Sequence, residues 1–338
     1  MAGYRLVTSE GVQPPVADRI QEVLLGEEPS ITRLELTEAS GVDLATAEIL
    51  WRLLGFPHVS DTEVAFTPAD LQALRLSKDL MELGIISADS QAALVRTLAR
   101  SFARLAEWQT GLLTEIAGDE DVSDDDRVAL IAEVLPRIET LQNYIWRRHL
   151  ASASASRLTT EESATGGDHL AICFVDIVGY TSRSKELDEA ELIDWVERFE
   201  AEVTSVVIDH GGQVIKTIGD EVLFVVDDPR EAVECGLLLT ARGSDDSDSF
   251  PGVRVGIAYG SVVRRLGDVF GPTVNIAARL TSIARPGTVI VDHGVHDLLC
   301  REHAPEATRA EDISLKRLPR TSVKGYSRLE SWAARRPR

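Results

Sequence analysis

The chain has 338 residues, 44% of them apolar, and its 35 basic and 55 acidic side chains leave a net charge of −20. That length favours two domains, each able to bury a core. The acidity excludes a surface built for nucleic-acid phosphates, which needs clustered positive charge.

From the N-terminus, no basic-then-apolar leader pattern is seen, and no apolar run approaches the roughly 20 residues of a bilayer span, so a cytoplasmic location is expected. Cys173, Cys235 and Cys300 lie in apolar runs without metal-ligand spacing and read as buried free thiols in a reducing compartment. Residues 1–150, with 13 basic and 25 acidic side chains, are patterned as helices almost throughout. "DLATAEILWRLLG" and "TPADLQALRLSKDLMELG" space apolar residues three and four apart, with Asp43 and Thr67 as caps and Gly55 and Gly84 as stops. "SQAALVRTLARSFARLAEWQTGLLTEIAG" continues that period. The next helix opens at Ser123 and three aspartates and is expected to end at Arg147, Arg148 and His149, with a bend at Pro136; the charges match the helix dipole at both ends. Residues 151–168, "ASASASRLTTEESATGGD", are small, polar and aperiodic, as in a linker.

After the linker, strands and helices alternate over 169–338. "HLAICFVDIV" reads as a buried strand, "DEAELIDWVERFEAEVTSVVIDHGG" as a helix closed by Gly211 and Gly212, and "GQVIKTIGDEVLFVV" as a hairpin around Gly219-Asp220. "DPREAVECGLLLTAR" reads as a helix, "GVRVGIAYGSVVRRLG" as a strand pair, "PTVNIAARLTSIA" as a helix with Pro272 in its first turn, and "GTVIVD" as a strand. The order β-α-β-β-α-β predicts an α+β, ferredoxin-like domain with helices on one face of a mainly antiparallel sheet, preceded by an all-α domain.

Several charges stand where this fold makes them costly. Asp176 ends an apolar strand, Gly179 follows in "DIVGYTS", and Asp220 sits at the hairpin tip. The strand and hairpin are sheet neighbours, so both carboxylates can share one edge, and acids beside a glycine loop suit a hard cation that takes substrate phosphates as its other ligands. Asp176 and Asp220 are equally compatible with turn-forming roles. Asn275 and Arg279 fall on one helical face, the arginine offering a planar cation to a phosphate. Taken alone, Arg279 and Lys324 also read as solvated charges.

"FVDIVGYTS", "IKTIGDEVLF", "DVFGPTVNIAARL" and "SVKGY", in that order and spacing over about 160–330, resemble the class III nucleotidyl cyclases. The resemblance implies conversion of ATP to 3′,5′-cyclic AMP and pyrophosphate, with two Mg2+ or Mn2+ ions per site held by Asp176, Asp220 and the Ile177 carbonyl. It implies that Lys216 and Asp268 read adenine, where guanylyl cyclases carry glutamate and cysteine. Asn275 and Arg279 would steady ribose and transition-state phosphate, Lys324 would contact the triphosphate, and Gly179 and Thr181 would line the phosphate loop. It further implies head-to-tail homodimers with sites at the interface. More weakly, the first half resembles the helical regulatory domain of some actinobacterial cyclases, with a proton or a lipid as effector. On that reading His149, at a helix C-terminus, would favour the helical form as pH falls.

Other readings remain for each half. "ITRLELTEASGVDLATAEILWRLLGFP" with "FTPADLQALR" also resembles the winged helix-turn-helix of MerR-type regulators, but residues 29–76 carry three arginines against seven acids. A guanylyl cyclase is disfavoured by Lys216 and Asp268, and an inactive nucleotide sensor by the completeness of the motif set. A diguanylate cyclase would need a different hairpin sequence. Glu221 has no role at this level.

Overall fold

Contacts divide the chain between Ser163 and Ala164 into two compact units. The computed structural model describes residues 15–83, 88–117, 122–161, 169–245, 248–301, 313–319, 321–323 and 326–337. Gly84 and Lys324 therefore lie outside the described residues.

The first unit contains α1 (Val16–Leu25), β1 (Ile31–Thr32), α2 (Arg33–Ser40), α3 (Leu44–Leu53), β2 (Val64–Phe66), α4 (Pro68–Glu82), α5 (Ala88–Ala117) and α6 (Asp124–Glu161). The expected caps form: the Asp43 carboxylate accepts from Thr46 N at 2.9 Å, and Thr67 and Asp70 make a reciprocal capping box. Thr32 and Glu35 make another at α2. One feature departs from an all-α unit. Ile31 pairs with Phe66 in a short antiparallel ladder, and Phe66, buried, meets the Trp51 ring edge-on at 4.7 Å. Strands of two and three residues are too short a pattern to stand out from a helical background.

α6 corrects two expectations. Its start is as read, with Asp126 N donating to Ser123 Oγ at 3.2 Å, but the helix runs through Glu161, so residues 151–161 of the expected linker are helical. Extending a formed helix costs far less than nucleating one, alanine is the best helix former, and the Ser154 hydroxyl returns to the Leu150 carbonyl at 2.8 Å. His149 consequently lies well inside α6 rather than at its end, and the dipole argument for it fails, since that effect is confined to the last turn.

The second unit contains β3 (His169–Ile177), α7 (Tyr180–Arg183), α8 (Glu189–Asp209), β4 (Gln213–Ile218), β5 (Glu221–Val226), α9 (Pro229–Arg242), β6 (Val253–Ser261), β7 (Val263–Arg265), β8 (Asp268–Phe270), α10 (Pro272–Ile283), β9 (Val289–Val291), α11 (His293–Arg301), β10 (Ser314–Arg317), β11 (Thr321–Val323), β12 (Tyr326–Leu329) and β13 (Trp332–Arg335). The main sheet runs β10-β13-β9-β6-β3-β5-β4. β5 lies antiparallel between β3 and β4, and β6 flanks β3 on the other side, which is the split βαβ plan; β6 and β9 pair in parallel. "GVRVGIAYGSVVRRLG" is not one strand pair: β6 pairs with β3 and β9, whereas β7 turns back on β8.

The period of two along β3 sorts the core. Ala171, Cys173, Val175 and Ile177 join a cluster with Phe199, Val203 and Val207 of α8 and Ala232 and Val233 of α9. Leu170, Ile172 and Phe174 face the opposite way, with Ala277 of α10. Helices therefore cover both faces, contrary to the one-face expectation, because "VNIAARL" presents alanines that let α10 lie close to the sheet. Gly256 on β6 marks the closest approach, where a Cβ would meet Thr281 N and the Ala277 carbonyl. Gly256→Ala is expected to cost about 1–3 kcal/mol by overpacking, measured as a lower urea midpoint with an unchanged slope.

Cys173 and Cys235 are buried as read, and burial pushes the Cys235 thiol up to about 12. Cys300 is exposed instead. It follows Val295 and Leu299, which carry the buried face of α11.

Candidate active site

Three strands bring a row of charges level with one another. In register, Asp176 of β3 stands opposite Glu221 of β5 on one side and Arg254 of β6 on the other. Arg254 donates through Nε to Asp176 Oδ2 at 2.6 Å, and its Nη2 reaches the same oxygen at 2.5 Å. Ile177 N donates to the Asp220 carbonyl at 3.1 Å, tying the end of β3 to the hairpin tip. The tip is a two-residue loop between Ile218 and Glu221. Gly219, at φ 65°, takes the positive-φ first position that such a turn requires and leaves Asp220 beside Asp176.

The electrostatics record the crowding. Burial raises the Asp176 carboxyl above its usual range, Asp220 adds to the rise, and Arg254 opposes it. Burial, then the Asp176 and Asp220 charges, push Glu221 up to about 7. Carboxyl groups this close, with one guanidinium among them, make an all-oxygen donor set that suits a hard divalent cation. The residues present thus fit the ions implied by the sequence.

A second pair forms between the edge strand β4 and the separate two-stranded sheet of β7 and β8. Lys216 Nζ meets Asp268 Oδ2 at 2.5 Å across 52 residues. Ile215 is an extra residue in the β4–β5 ladder, and this bulge sets the direction of Lys216. Asp268 begins β8 after the Leu266-Gly267 turn, whose two residues have φ 54° and 78°, as in a type I′ hairpin. Asp268 Oδ1 also accepts from Val269 N at 2.9 Å, so the carboxylate is held at both oxygens.

α10 packs through Thr273, Ala277, Leu280 and Thr281 and leaves Asn275 exposed and Arg279 half-buried. No described contact within the chain joins either side chain, or the Lys216–Asp268 pair, to Asp176 or Asp220. Gly179, at φ 77°, opens the four-residue α7, in which Thr181 is exposed; the Ser182 and Arg183 amides donate to the Gly179 carbonyl at 3.0 Å, so only the amides of Tyr180 and Thr181 precede the first bonded turn. Lys324 is outside the described residues. Two participants escaped the sequence reading. Arg254 was available as the one charge inside "VRVGIAYG", and Glu221 needed the strand register to place it opposite Asp176.

The family model of the adenylate and guanylate cyclase catalytic domain matches residues 163–332. The chain belongs to this cyclase family. The cyclase is 35% identical to an adenylate cyclase of Glutamicibacter nicotianae, over 96% of its own length and 83% of that protein's. It is 36% identical to an adenylate cyclase of Streptomyces coelicolor, over 88% and 79%. A third relative, the pH-sensitive adenylate cyclase MT1302 of Mycobacterium tuberculosis, is 29% identical over 87% and 76%. These matches run through the helical unit as well as the catalytic one. No helix among the described residues is long and apolar enough to cross a membrane.

Proposed function

We propose that this cyclase converts ATP to 3′,5′-cyclic AMP and pyrophosphate at two equivalent sites, each shared between two copies of the chain arranged head to tail. The observation that carries the reading is the separation of two well-formed sets within one chain, an acidic row around Asp176 and a Lys216–Asp268 pair. One copy would supply Asp176, Ile177 and Asp220, and the other Lys216, Asp268, Asn275, Arg279 and Lys324.

Two divalent cations, Mg2+ or Mn2+, held by Asp176, Asp220 and the Ile177 carbonyl, would lower the pKa of the ribose 3′-hydroxyl and neutralise charge on the phosphates. Lys216 donates to adenine N1, and Asp268 accepts from the 6-amino group while repelling guanine O6. The two side chains are already in contact, so little ordering is left for the base to impose. Asn275 holds the ribose so that its 3′-oxygen faces the α-phosphorus. Arg279 meets the charge that grows on the phosphoryl oxygens as the bond to pyrophosphate breaks. The amides after Gly179, with Thr181, line the triphosphate, and Lys324 contacts it. No histidine base is required.

Incubation of the purified full chain with ATP or GTP and either metal is expected to give cyclic AMP from ATP, and cyclic GTP-derived product at least about 100-fold more slowly. Absence of cyclic AMP with dimers present would defeat the proposal.

The helical unit is proposed to regulate the catalytic one, with pH as the signal. The similarity to MT1302 along both units supports this. The helix-dipole route through His149 is not part of this proposal, because His149 lies inside α6. A flat activity profile between about pH 6 and pH 8 would count against pH control.

A further inference from the structure

α11 carries a cluster that the proposed reaction does not use. "HGVHD" places His293, His296 and Asp297 at the first, fourth and fifth positions of the segment, so all three project from one face of the helix. His293 Nε2 lies 3.2 Å from Asp297 Oδ2, and His296 Nδ1 lies 3.1 Å from Asp297 Oδ1. One ligand atom from each of the three falls within 4.8 Å of the others. A tetrahedral cation with bonds near 2.0 Å sets neighbouring ligands about 3.3 Å apart, so each histidine is already about one such edge from a carboxylate oxygen of Asp297, and the three groups need only draw in from 4.8 Å or less.

The surroundings hold the rings in place. His296 stacks on Trp332 of β13 with centroids 4.1 Å apart and an angle of 21°, and His293 stacks at 5.8 Å. Cys300 Sγ lies 3.5 Å from His296 Nε2, the nitrogen turned away from Asp297. A thiol at that place can fix the imidazole tautomer that leaves Nδ1 for a metal, the usual task of a group behind a ligating histidine. The positive end of the helix dipole opposes a cation here, and Asp297 together with Asp292, which caps the helix by accepting from Val295 N at 3.0 Å, offsets it. Arg317 is near Trp332 but is paired with Glu330 at 2.7 Å.

We propose that His293, His296 and Asp297 form a second metal site, distinct from the oxygen-only acidic row, that binds a borderline transition cation such as Zn2+ with water in the remaining position. Two imidazoles and one carboxylate favour zinc over magnesium, and the exposed His293 leaves solvent access. The strand register separates the two sites. Tyr259 N donates to Asp292 just before α11, and Tyr259 pairs with Ala171, whereas Arg254 pairs with Asp176; the cluster lies toward the other end of β3 and β6.

The test is a Zn2+ titration of the metal-stripped full chain by calorimetry, with excess Mg2+ present to occupy the acidic row. The expected result is one more Zn2+ per chain in the wild type than in the His293→Ala/Asp297→Asn variant. His293→Ala alone should weaken that site at least about 10-fold, and Cys300→Ser should keep it. Circular dichroism checks that each variant is folded. Should the double variant misfold, His293→Ala decides by itself, because it truncates an exposed side chain at the helix start. Equal Zn2+ stoichiometry and affinity in wild type and folded variant would overturn the proposal.

Discussion

Asp220→Asn is expected to lower the rate of cyclic AMP formation by about a thousand-fold, with the fold intact. Asparagine suits a turn as well as aspartate does, so the Gly219-Asp220 hairpin should close as before. What disappears is one negative charge from a site that already crowds Asp176, Asp220 and Glu221. Removing a like charge relieves repulsion, so thermal stability should stay level or rise slightly, in contrast to the rate. Initial rates with saturating Mg2+ and a melting curve measure both. A rate within tenfold of wild type would mean that Asp220 is a turn residue and no more.

Arg279→Ala is expected to lower kcat by about 100- to 1000-fold while changing KM little, the pattern of a contact made only as charge develops in the transition state. The fold does not depend on the guanidinium. Arg279 is half-buried on α10, and no described side chain of the same chain pairs with it. Lysine should restore only part of the rate, since it supplies a point charge without the planar fork. A KM rise at unchanged kcat would assign Arg279 to ground-state binding instead.

How far the sequence predicts this arrangement depends on the range of the forces involved. Caps at Asp43 and Thr67 and the Gly219-Asp220 turn are decided within a few residues, and they were legible. So were the strand and hairpin that bring Asp176 beside Asp220, because the βαββ order makes them neighbours. Register was not. Only the alignment of three strands shows that Glu221 and Arg254 flank Asp176, and only the Ile215 bulge and the Leu266-Gly267 turn explain how Lys216 reaches Asp268. The end of α6 is not legible, because small polar residues are weak helix breakers once a long helix precedes them. The position of α10 on the second face depended on close packing at Gly256, which no local pattern reveals.

The division of each site between two copies is tested most directly by mixing two inactive chains, Lys216→Ala and Asp220→Asn. In a mixed dimer one site receives both damaged parts and the other receives neither. With equal amounts and free exchange, half the dimers are mixed and each has one working site, so cyclic AMP formation should recover to about a quarter of the wild-type rate. Activity no greater than that of the separate variants, with mixed dimers demonstrably formed, would contradict the shared site.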